Sequence, residues 1–323
     1  MQADQRWTWR EPGGLALEVG WCRQADPGVS APADTPAVVL IHGFGANTNH
    51  WRHTAPALSP HTPTYALDLI GFGTSSQPRA LLAGERGDGL RYGFDLWGEQ
   101  VASFCREVVQ RPVLLVGNSI GAVVALRATQ LLTEHEGPSA CQRLVLIDCA
   151  QRLMDDKQLA TQPAWMAWIR PLLKTLVSQR WLSTALFRNA ARPSVIRSVL
   201  KQAYPSGSNV DDDLVALLHA PTQRPGSAEA FRGFINLFDD YLAPDLMQTL
   251  STPIDLIWGS NDPWEPVMEA KRWANTIAAI DSLTVIHGAG HCPHDESPDQ
   301  VNAALLRAFT TCRAATALGQ QAT

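Results

Sequence analysis

A serine, an aspartate and a histidine stand in this chain of 323 amino acids in an order that permits nucleophilic catalysis. Ser119 lies in the run VLLVGNSIGAVVAL, between two glycines, after an apolar stretch and before a stretch of helical pattern. A serine hydroxyl is a weak nucleophile unless a base removes its proton, and the base works best when a carboxylate fixes its tautomer. Ser119 is therefore catalytic only if a base, an acid and an oxyanion hole accompany it.

Two predicted turns could supply the backbone donors of an oxyanion hole. In VLLVGNSIGAVVAL, the strand, turn and helix place the N–H of Ile120 at a helix start, where it has no helical partner. In LIHGFGANTNHW, the glycine-rich turn after the strand at 37–41 allows the Phe44 N–H to point at the same oxygen. Further residues are expected in the substrate pocket: His42, Gly43, Asn118, Trp165, Trp168 and Trp264.

Three acidic residues are candidates for the group that orients the base. Asp262, in IDLIWGSNDPWEP, follows the strand-ending glycine and serine at the carboxyl edge of the sheet, where such sites assemble. Asp148, in LIDCA, also ends a strand but lies inside an apolar run, and Glu265 is a third alternative. The loop position favours Asp262 over Asp148, and Glu265 is a weaker candidate than either.

Three histidines near the end of the chain are candidates for the base, within VIHGAGHCPHDESPDQ. His291 follows a predicted strand and the Gly-Ala-Gly turn, so it can reach over the sheet edge. His287 is predicted to pack within the strand, and His294 stands before a capping box, which indicates a role in helix entry. His291 is therefore the predicted base.

The elements that must position these residues alternate along the chain. An opening hairpin around Pro12 is followed by six short apolar runs rich in Val, Ile and Leu, as in strands buried on both faces. Helical patterns lie between several of them, which predicts an α/β fold with a doubly wound, mostly parallel sheet of eight strands. The alternation stops between about residues 150 and 252. We expect a core at 1–150 and 251–312, a helical cap at 151–250 inserted after the sixth strand, and a frayed tail at 313–323.

Composition excludes several classes of function. The net charge of −5 provides no overall basic field for nucleic acid. The six cysteines are widely spaced and include no Cys-x-x-Cys pair, so neither a zinc site nor a disulfide framework is predicted. The N-terminal residues lack the apolar core of a signal peptide, and no run is long enough to cross a membrane. We expect a cytoplasmic protein, peripheral to a membrane at most.

The order Ser119, Asp262, His291 resembles that of the α/β-hydrolase superfamily over about residues 7–311. The resemblance implies an α/β-hydrolase fold, an acyl-enzyme on Ser119, and Phe44 and Ile120 as oxyanion donors. It implies no cofactor and no metal. Epoxide hydrolases and haloalkane dehalogenases of this fold carry aspartate at the nucleophile position, so Ser119 disfavours both activities.

Within the superfamily, GNSIGAVVALRAT, DLIGFGTSSQP and DLWGEQV together are similar to the pheophytinase and chlorophyll dephytylase group. That likeness implies hydrolysis of the phytyl ester of a chlorophyll-type pigment, or of another bulky lipophilic ester. GNS is also similar to the meta-cleavage-product hydrolases, which use the same triad to break a C–C bond. A third alternative is a catalytically silent receptor or scaffold with a hydrolase-like fold.

The segment 163–201 of the cap has an unusual composition. It contains seven basic residues and no acidic one, and tryptophans, leucines and a phenylalanine are interleaved with them. Such a segment can line an apolar pocket with its charged face in solvent, or lie on an anionic membrane surface. Small charged esters are disfavoured as substrates, since the residues predicted around the pocket mouth are apolar.

Overall fold

The computed structural model describes residues 3–25, 32 and 35–321, and its centre is one mixed sheet of eight strands. The predicted α/β fold with a mostly parallel sheet of eight strands is confirmed. The strands are Gln5–Arg10 (β1), Ala16–Gln24 (β2), Ala37–Ile41 (β3), Thr64–Leu67 (β4), Val113–Asn118 (β5), Cys141–Ile147 (β6), Ile254–Gly259 (β7) and Ile280–Ile286 (β8).

The strand order is β1-β2-β4-β3-β5-β6-β7-β8. The opening hairpin is antiparallel and β2 runs antiparallel to β4, whereas β3 to β8 run parallel to one another. Every residue of β3, β4 and β5 is buried, because helices cover both faces of this part of the sheet. The carboxyl ends of β3, β5, β6, β7 and β8 therefore meet at one edge.

Twelve α-helices accompany the sheet in the described chain. They are Thr54–Leu58 (α1), Phe94–Phe104 (α2), Ile120–Glu136 (α3), Ala164–Ser178 (α4), Arg180–Ala190 (α5), Pro193–Ala203 (α6), Asp212–His219 (α7), Ser227–Ile235 (α8), Ala243–Thr249 (α9), Val267–Thr276 (α10), Pro293–Glu296 (α11) and Pro298–Gln321 (α12). No helix among the described residues is both long and apolar enough to cross a bilayer.

The last helix differs from the sequence-based expectation. α12 continues to Gln321 and so includes most of 313–323, for which a frayed tail is predicted. Four of the eleven residues at 313–323 are alanine, which has the highest helix propensity, and this composition favours extension of the helix.

Two apolar layers hold the sheet. One face packs against α2 and α3, with Trp97 and Phe104 among its fully buried side chains. The opposite face packs against α1 and α12, where Trp51, Val301 and Leu305 are buried. The helices thus cover the two faces of the sheet and leave its carboxyl edge for a site.

Residues 151–250 lie between β6 and β7 and contain helices α4 to α9 and no strand. Polar contacts attach this segment to the loop between β4 and α2. Arg232 Nη2 donates to Glu85 Oε1 at 2.7 Å, Arg224 Nη1 to Gly73 O at 2.6 Å, and the N–H of Ala80 to Glu229 Oε2 at 2.7 Å. The segment therefore covers the carboxyl edge of the sheet as a cap.

Candidate active site

The nucleophile position is the turn between β5 and α3. β5 ends at Asn118 and α3 begins at Ile120, so Ser119 alone makes the connection. Its φ of 56° and ψ of −121° are rare for a residue with a side chain, and its N–H donates to Ile147 O at 2.9 Å. A strained turn of this kind exposes the serine hydroxyl above the sheet.

Two glycines allow three backbone segments to meet beside Ser119. A Cβ at Gly121 would lie 2.4 Å from Ile41 O, closer than real atoms approach. A Cβ at Gly43 would lie 3.2 Å from Ser119 Cβ. The absence of side chains at these positions therefore brings the turn after β3 against the nucleophile.

The oxyanion donors predicted from the sequence lie on these two turns. Phe44 and Ile120 line the same cavity as Ser119. Within the described chain, neither backbone N–H makes a hydrogen bond, and that of Ile120 also stands at the N-terminus of a 17-residue helix. Both donors are thus available to an oxygen that becomes negative during attack.

The predicted base and acid are in contact. His291 follows β8, Asp262 follows β7, and His291 Nδ1–H donates to Asp262 Oδ2 at 2.8 Å. Asp262 Oδ1 accepts the N–H groups of Trp264 at 2.8 Å and Glu265 at 3.1 Å. Because Nδ1 is occupied by this bond, Nε2 is the ring nitrogen left for proton transfer.

The charge state of Asp262 suits an orienting carboxylate. Burial alone would raise its pKa, but the hydrogen bond and the charge of His291 outweigh burial and lower the pKa below its ordinary value. Asp262 is therefore ionised at neutral pH and favours the His291 tautomer with its proton on Nδ1.

Asp148, the competing acid, lies at the end of β6 and is fully buried. Burial first, and then the negative charge of Asp262, raise the pKa of Asp148 well above its ordinary value. Its Oδ1 accepts the N–H of Gly259 at 2.9 Å, and its Oδ2 has no donor among the described residues. A proton on Oδ2 satisfies this atom, because the resulting hydroxyl can donate to the neighbouring Asp262 carboxylate.

Glu265, the third acidic candidate, bonds to the start of the cap. Its Oε2 accepts the N–H of Gln151 at 2.8 Å, and burial raises its pKa to about 8. Glu265 lines the cavity but binds backbone instead of a histidine.

Asn118 links the nucleophile turn to the histidine loop. Its Nδ2 donates to His291 O at 3.1 Å, and the His291 N–H donates to Ala203 O at the end of α6 at 2.9 Å. The sequence places Asn118 in the pocket, which it does line, but no pattern in the chain indicated this bond. The backbone of the predicted base is therefore held from both the core and the cap.

The other candidate histidines have structural environments. His42 lies behind the turn, where its Nδ1–H donates to Gly43 O at 2.7 Å and its Nε2 accepts the Leu69 N–H at 3.0 Å. It is fully buried and is absent from the residues around the cavity, in contrast to the prediction. His287 lies just past β8 and is exposed, so its predicted packing within the strand is wrong. His294 is buried against Trp51 at the start of α11.

The cavity above Ser119 has a volume of about 680 Å³ and a mostly apolar lining. Phe44 stacks on Phe234 with ring centroids 4.1 Å apart, and Trp264 meets the His291 ring edge-on at 4.8 Å. The predicted pocket residues Trp165 and Trp168 do not line it, because α4 directs them outward, where they are 58% and 86% exposed. A chamber of this size and character suits a bulky apolar ligand.

The thiols and acidic groups form no other centre in the described residues. All six cysteines are buried, and none of them forms a disulfide within the described chain. No group of three or more His, Cys, Asp or Glu side chains there is arranged to hold a metal ion.

Comparison with known proteins identifies the family and the fold. Residues 38–304 match the family described as the Alpha/beta hydrolase family. The chloroplastic pheophytinase of Arabidopsis thaliana is 25% identical over 314 residues, which span 83% of this chain but only 60% of that protein. A (lyso)-N-acylphosphatidylethanolamine lipase from Bos taurus is 24% identical, over 84% of this chain and 78% of the lipase.

Solved structures show the same fold. A thermophilic esterase from Thermogutta terrifontis superposes with a TM-score of 0.67 at 20% identity, over 95% of this chain and 99% of the esterase. The family match begins within β3 and ends within α12, so it includes every strand end that contributes to the site. The chain therefore belongs to the alpha/beta hydrolase family.

Proposed function

We propose that this protein is a serine hydrolase that cleaves a carboxylic ester of a bulky lipophilic substrate through an acyl-enzyme. One observation carries the proposal: His291, which is hydrogen-bonded to Asp262, lines the same apolar cavity as the strained Ser119. A nucleophile, a base and an acid that orients the base are the parts that acyl transfer requires.

In the first half-reaction, Ser119 Oγ attacks the ester carbonyl carbon while His291 Nε2 takes the hydroxyl proton. The carbonyl oxygen becomes negative and accepts the N–H groups of Phe44 and Ile120. Collapse of this intermediate breaks the bond to the alcohol, which leaves with the proton from His291. The products are the free alcohol and an ester on Ser119.

In the second half-reaction, water takes the place of the alcohol. His291 Nε2 removes a proton from the water, which attacks the acyl carbon, and the proton is returned to Ser119 Oγ as the acid leaves. Asp262 stabilises the histidine cation formed in both steps and stays ionised throughout.

The substrate class follows from the cavity and from the relatives. Phenylalanines on both core and cap line the chamber, so apolar area is buried when a long or polycyclic group enters. One relative is named for pheophytin, and a second for an N-acyl phospholipid. We infer that the physiological ester has a long hydrocarbon portion, and a phytyl ester of a chlorophyll-type pigment is the first candidate.

The alternative of C–C bond hydrolysis depends on a cation in the cavity. A ring-fission substrate would need a cation for its carboxylate, and Arg152 is the arginine that lines the cavity among the described residues. Its guanidinium already pairs with buried Asp155, donates to Leu237 O at 2.9 Å and lies over the Phe94 ring. Both of these hydrogen bonds use Nη2, and Nε is buried without a hydrogen-bond partner in the described part of the chain. Arg152 is therefore the arginine with donors left for a ligand carboxylate, and the relative turnover of esters and of a vinylogous diketone decides between the two reactions.

The test combines active-site labelling with a panel of esters. The purified protein is treated with a fluorophosphonate probe and then assayed on p-nitrophenyl esters of increasing chain length and on pheophytin a. We expect labelling, a rate that rises with acyl length, and loss of both in Ser119→Ala. Ser139→Ala, which changes an exposed serine after α3, is the matched control.

Labelling without turnover of any ester would refute the ester-hydrolase proposal while leaving the nucleophile intact. No labelling at all would instead support the silent receptor or scaffold. Turnover of a vinylogous diketone in preference to the esters would support C–C hydrolysis.

A further inference from the structure

Helix α4 presents an apolar stripe to the outside of the molecule. The stripe follows helical spacing, and its members are exposed: Trp165, Trp168, Ile169, Leu172, Leu173 and Leu176. None of these side chains lines the cavity above Ser119. The stripe is therefore not part of the substrate chamber described above.

The opposite side of α4 is polar and faces the protein. Arg170 is only 5% exposed, and its Nε donates to Asp156 Oδ1 at 2.8 Å. Lys174 Nζ donates to the same carboxylate oxygen at 2.8 Å. A helix on the surface of a soluble domain normally has the reverse orientation, with its apolar side inward. The orientation of α4 is held by ion pairs, so exposure of the stripe is a built feature of the cap.

The exposed apolar surface extends beyond α4 in two directions. On α5, Trp181 is 70% exposed and Leu186 is also exposed. Met154, whose backbone oxygen accepts a hydrogen bond from Arg170, is exposed and also lines the cavity. We call the exposed apolar residues of α4 and α5, together with Met154, the apolar cap face. It reaches the edge of the cavity through Met154.

Positive charge accompanies the apolar cap face. Arg188 on α5, Arg192 just before α6 and Lys201 on α6 are exposed, and none of them forms an ion pair within the described chain. The segment 163–201 contains no acidic residue, although the whole chain has a net charge of −5. The excess of positive charge therefore belongs to the same segment of the cap as the exposed apolar side chains.

We propose that the apolar cap face binds the surface of an anionic lipid bilayer. Tryptophan and leucine side chains would enter the boundary between headgroups and acyl chains, and the three unpaired cations would contact anionic headgroups. A second copy of the chain fits less well, because a symmetric contact would place these cations opposite one another. Bilayer binding does not depend on ester hydrolysis. Only the further step, entry of a membrane-dissolved ester past Met154, rests on the proposed function.

Vesicle co-sedimentation tests the proposal. One set of vesicles contains three parts phosphatidylcholine to one part phosphatidylglycerol, and the other contains phosphatidylcholine alone. We expect binding to the anionic vesicles. In Trp168→Glu/Trp181→Glu the partition coefficient should fall by at least about tenfold. Arg188→Gln/Arg192→Gln is expected to reduce the preference for anionic vesicles. Met268→Glu is the matched control, since Met268 is 67% exposed on a core helix.

Two further measurements separate docking from folding and from catalysis. Hydrolysis of a water-soluble ester should be unchanged in Trp168→Glu/Trp181→Glu, which shows that the fold and site are intact. Ser119→Ala should bind vesicles as the unaltered protein does, even if no ester proves to be a substrate. The proposal is overturned if the protein ignores anionic vesicles, or if Met268→Glu weakens binding as much as the tryptophan variant. It is also overturned if the unaltered protein forms a dimer that the tryptophan variant does not form.

Discussion

Asp148 and Asp262 end neighbouring strands, yet their surroundings give them opposite charge states. Asp262 accepts two backbone N–H groups and the proton of His291 Nδ1, which stabilise its ionised form. Asp148 is enclosed and accepts one backbone N–H, so its proton stays and can be shared with Asp262. The pair can thus carry a single negative charge, which lies on the residue that contacts the base.

Replacing each aspartate by asparagine distinguishes the two roles. Asp262→Asn removes the negative charge at His291 Nδ1 and favours the wrong tautomer, so kcat/KM should fall by about 10³ to 10⁴-fold at neutral pH. Asp148→Asn keeps an uncharged donor in place, so kcat/KM should change little. Initial rates on a soluble ester, with thermal melting to verify the fold, provide the measurement. Equal losses in the two variants would contradict this assignment.

At the scale of single residues, the sequence predicts the contact between the base and its acid but not the environment of every buried side chain. The contact of His291 with Asp262 follows from the order of residues at strand ends, because parallel strands bring those ends to one edge. The proton on Asp148 and the position of His42 behind the turn depend on burial by residues distant in the chain. No local pattern encodes that burial.

Among the elements, the junction of β5 and α3 has the strictest requirements. α3 begins immediately after Ser119 and its first turn passes over the end of β3, at Gly121. If α3 lay farther from the end of β3, the two oxyanion donors would move apart, because they come from different elements. Close packing of the helix on the sheet is therefore also a condition for the proposed chemistry.

Gly121→Ala tests this requirement. The new methyl group would meet Ile41 O at 2.4 Å, and relief of that overlap would shift α3 or the end of β3. We expect a loss of about 1–3 kcal/mol in the free energy of unfolding and slower fluorophosphonate labelling of Ser119. Urea denaturation and labelling time courses measure the two effects. Labelling of Ser119 at the unaltered rate would show that the junction of β5 and α3 tolerates a larger distance between α3 and β3.

The cap helices show what a periodic pattern cannot reveal. The sequence of 163–201 indicates amphipathic helices, and α4 to α6 are helices. Periodicity identifies two unlike faces but does not indicate which of them faces the protein. On α4 the ion pairs with Asp156 determine the orientation, and this partner lies outside the helix. For this reason Trp165 and Trp168 were predicted in the pocket and lie on the surface.

At the scale of the whole molecule, the cap is attached by polar contacts to a loop of the core. Glu85 of that loop pairs with Arg232 and with Arg180, both from the cap. The hydrogen bond from Arg232 lowers the pKa of Glu85 to about 2. Attachment of the cap is therefore coupled to the ionisation of one carboxylate.

This coupling predicts a dependence of cap attachment on pH. Because the folded pKa is below the ordinary value of 4.5, the pair contributes stability above about pH 4.5 and loses it as the pH falls through about 2. We expect limited proteolysis of the cap to accelerate over this range. In Arg232→Gln the cap should be cleaved faster at neutral pH and show less additional acid sensitivity. Arg86→Gln, an exposed neighbour of Glu85, should behave as the unaltered protein does.

The bond from the His291 N–H to Ala203 O has a consequence for how substrate can enter. α6 ends at Ala203, so its last turn and the histidine loop are fastened together. If the whole cap moved away as one rigid body, α6 would pull His291, the proposed base, away from Asp262. Substrate entry is compatible with turnover if the hinge lies before α6, so that α4 and α5 move while α6 and the histidine loop stay in place.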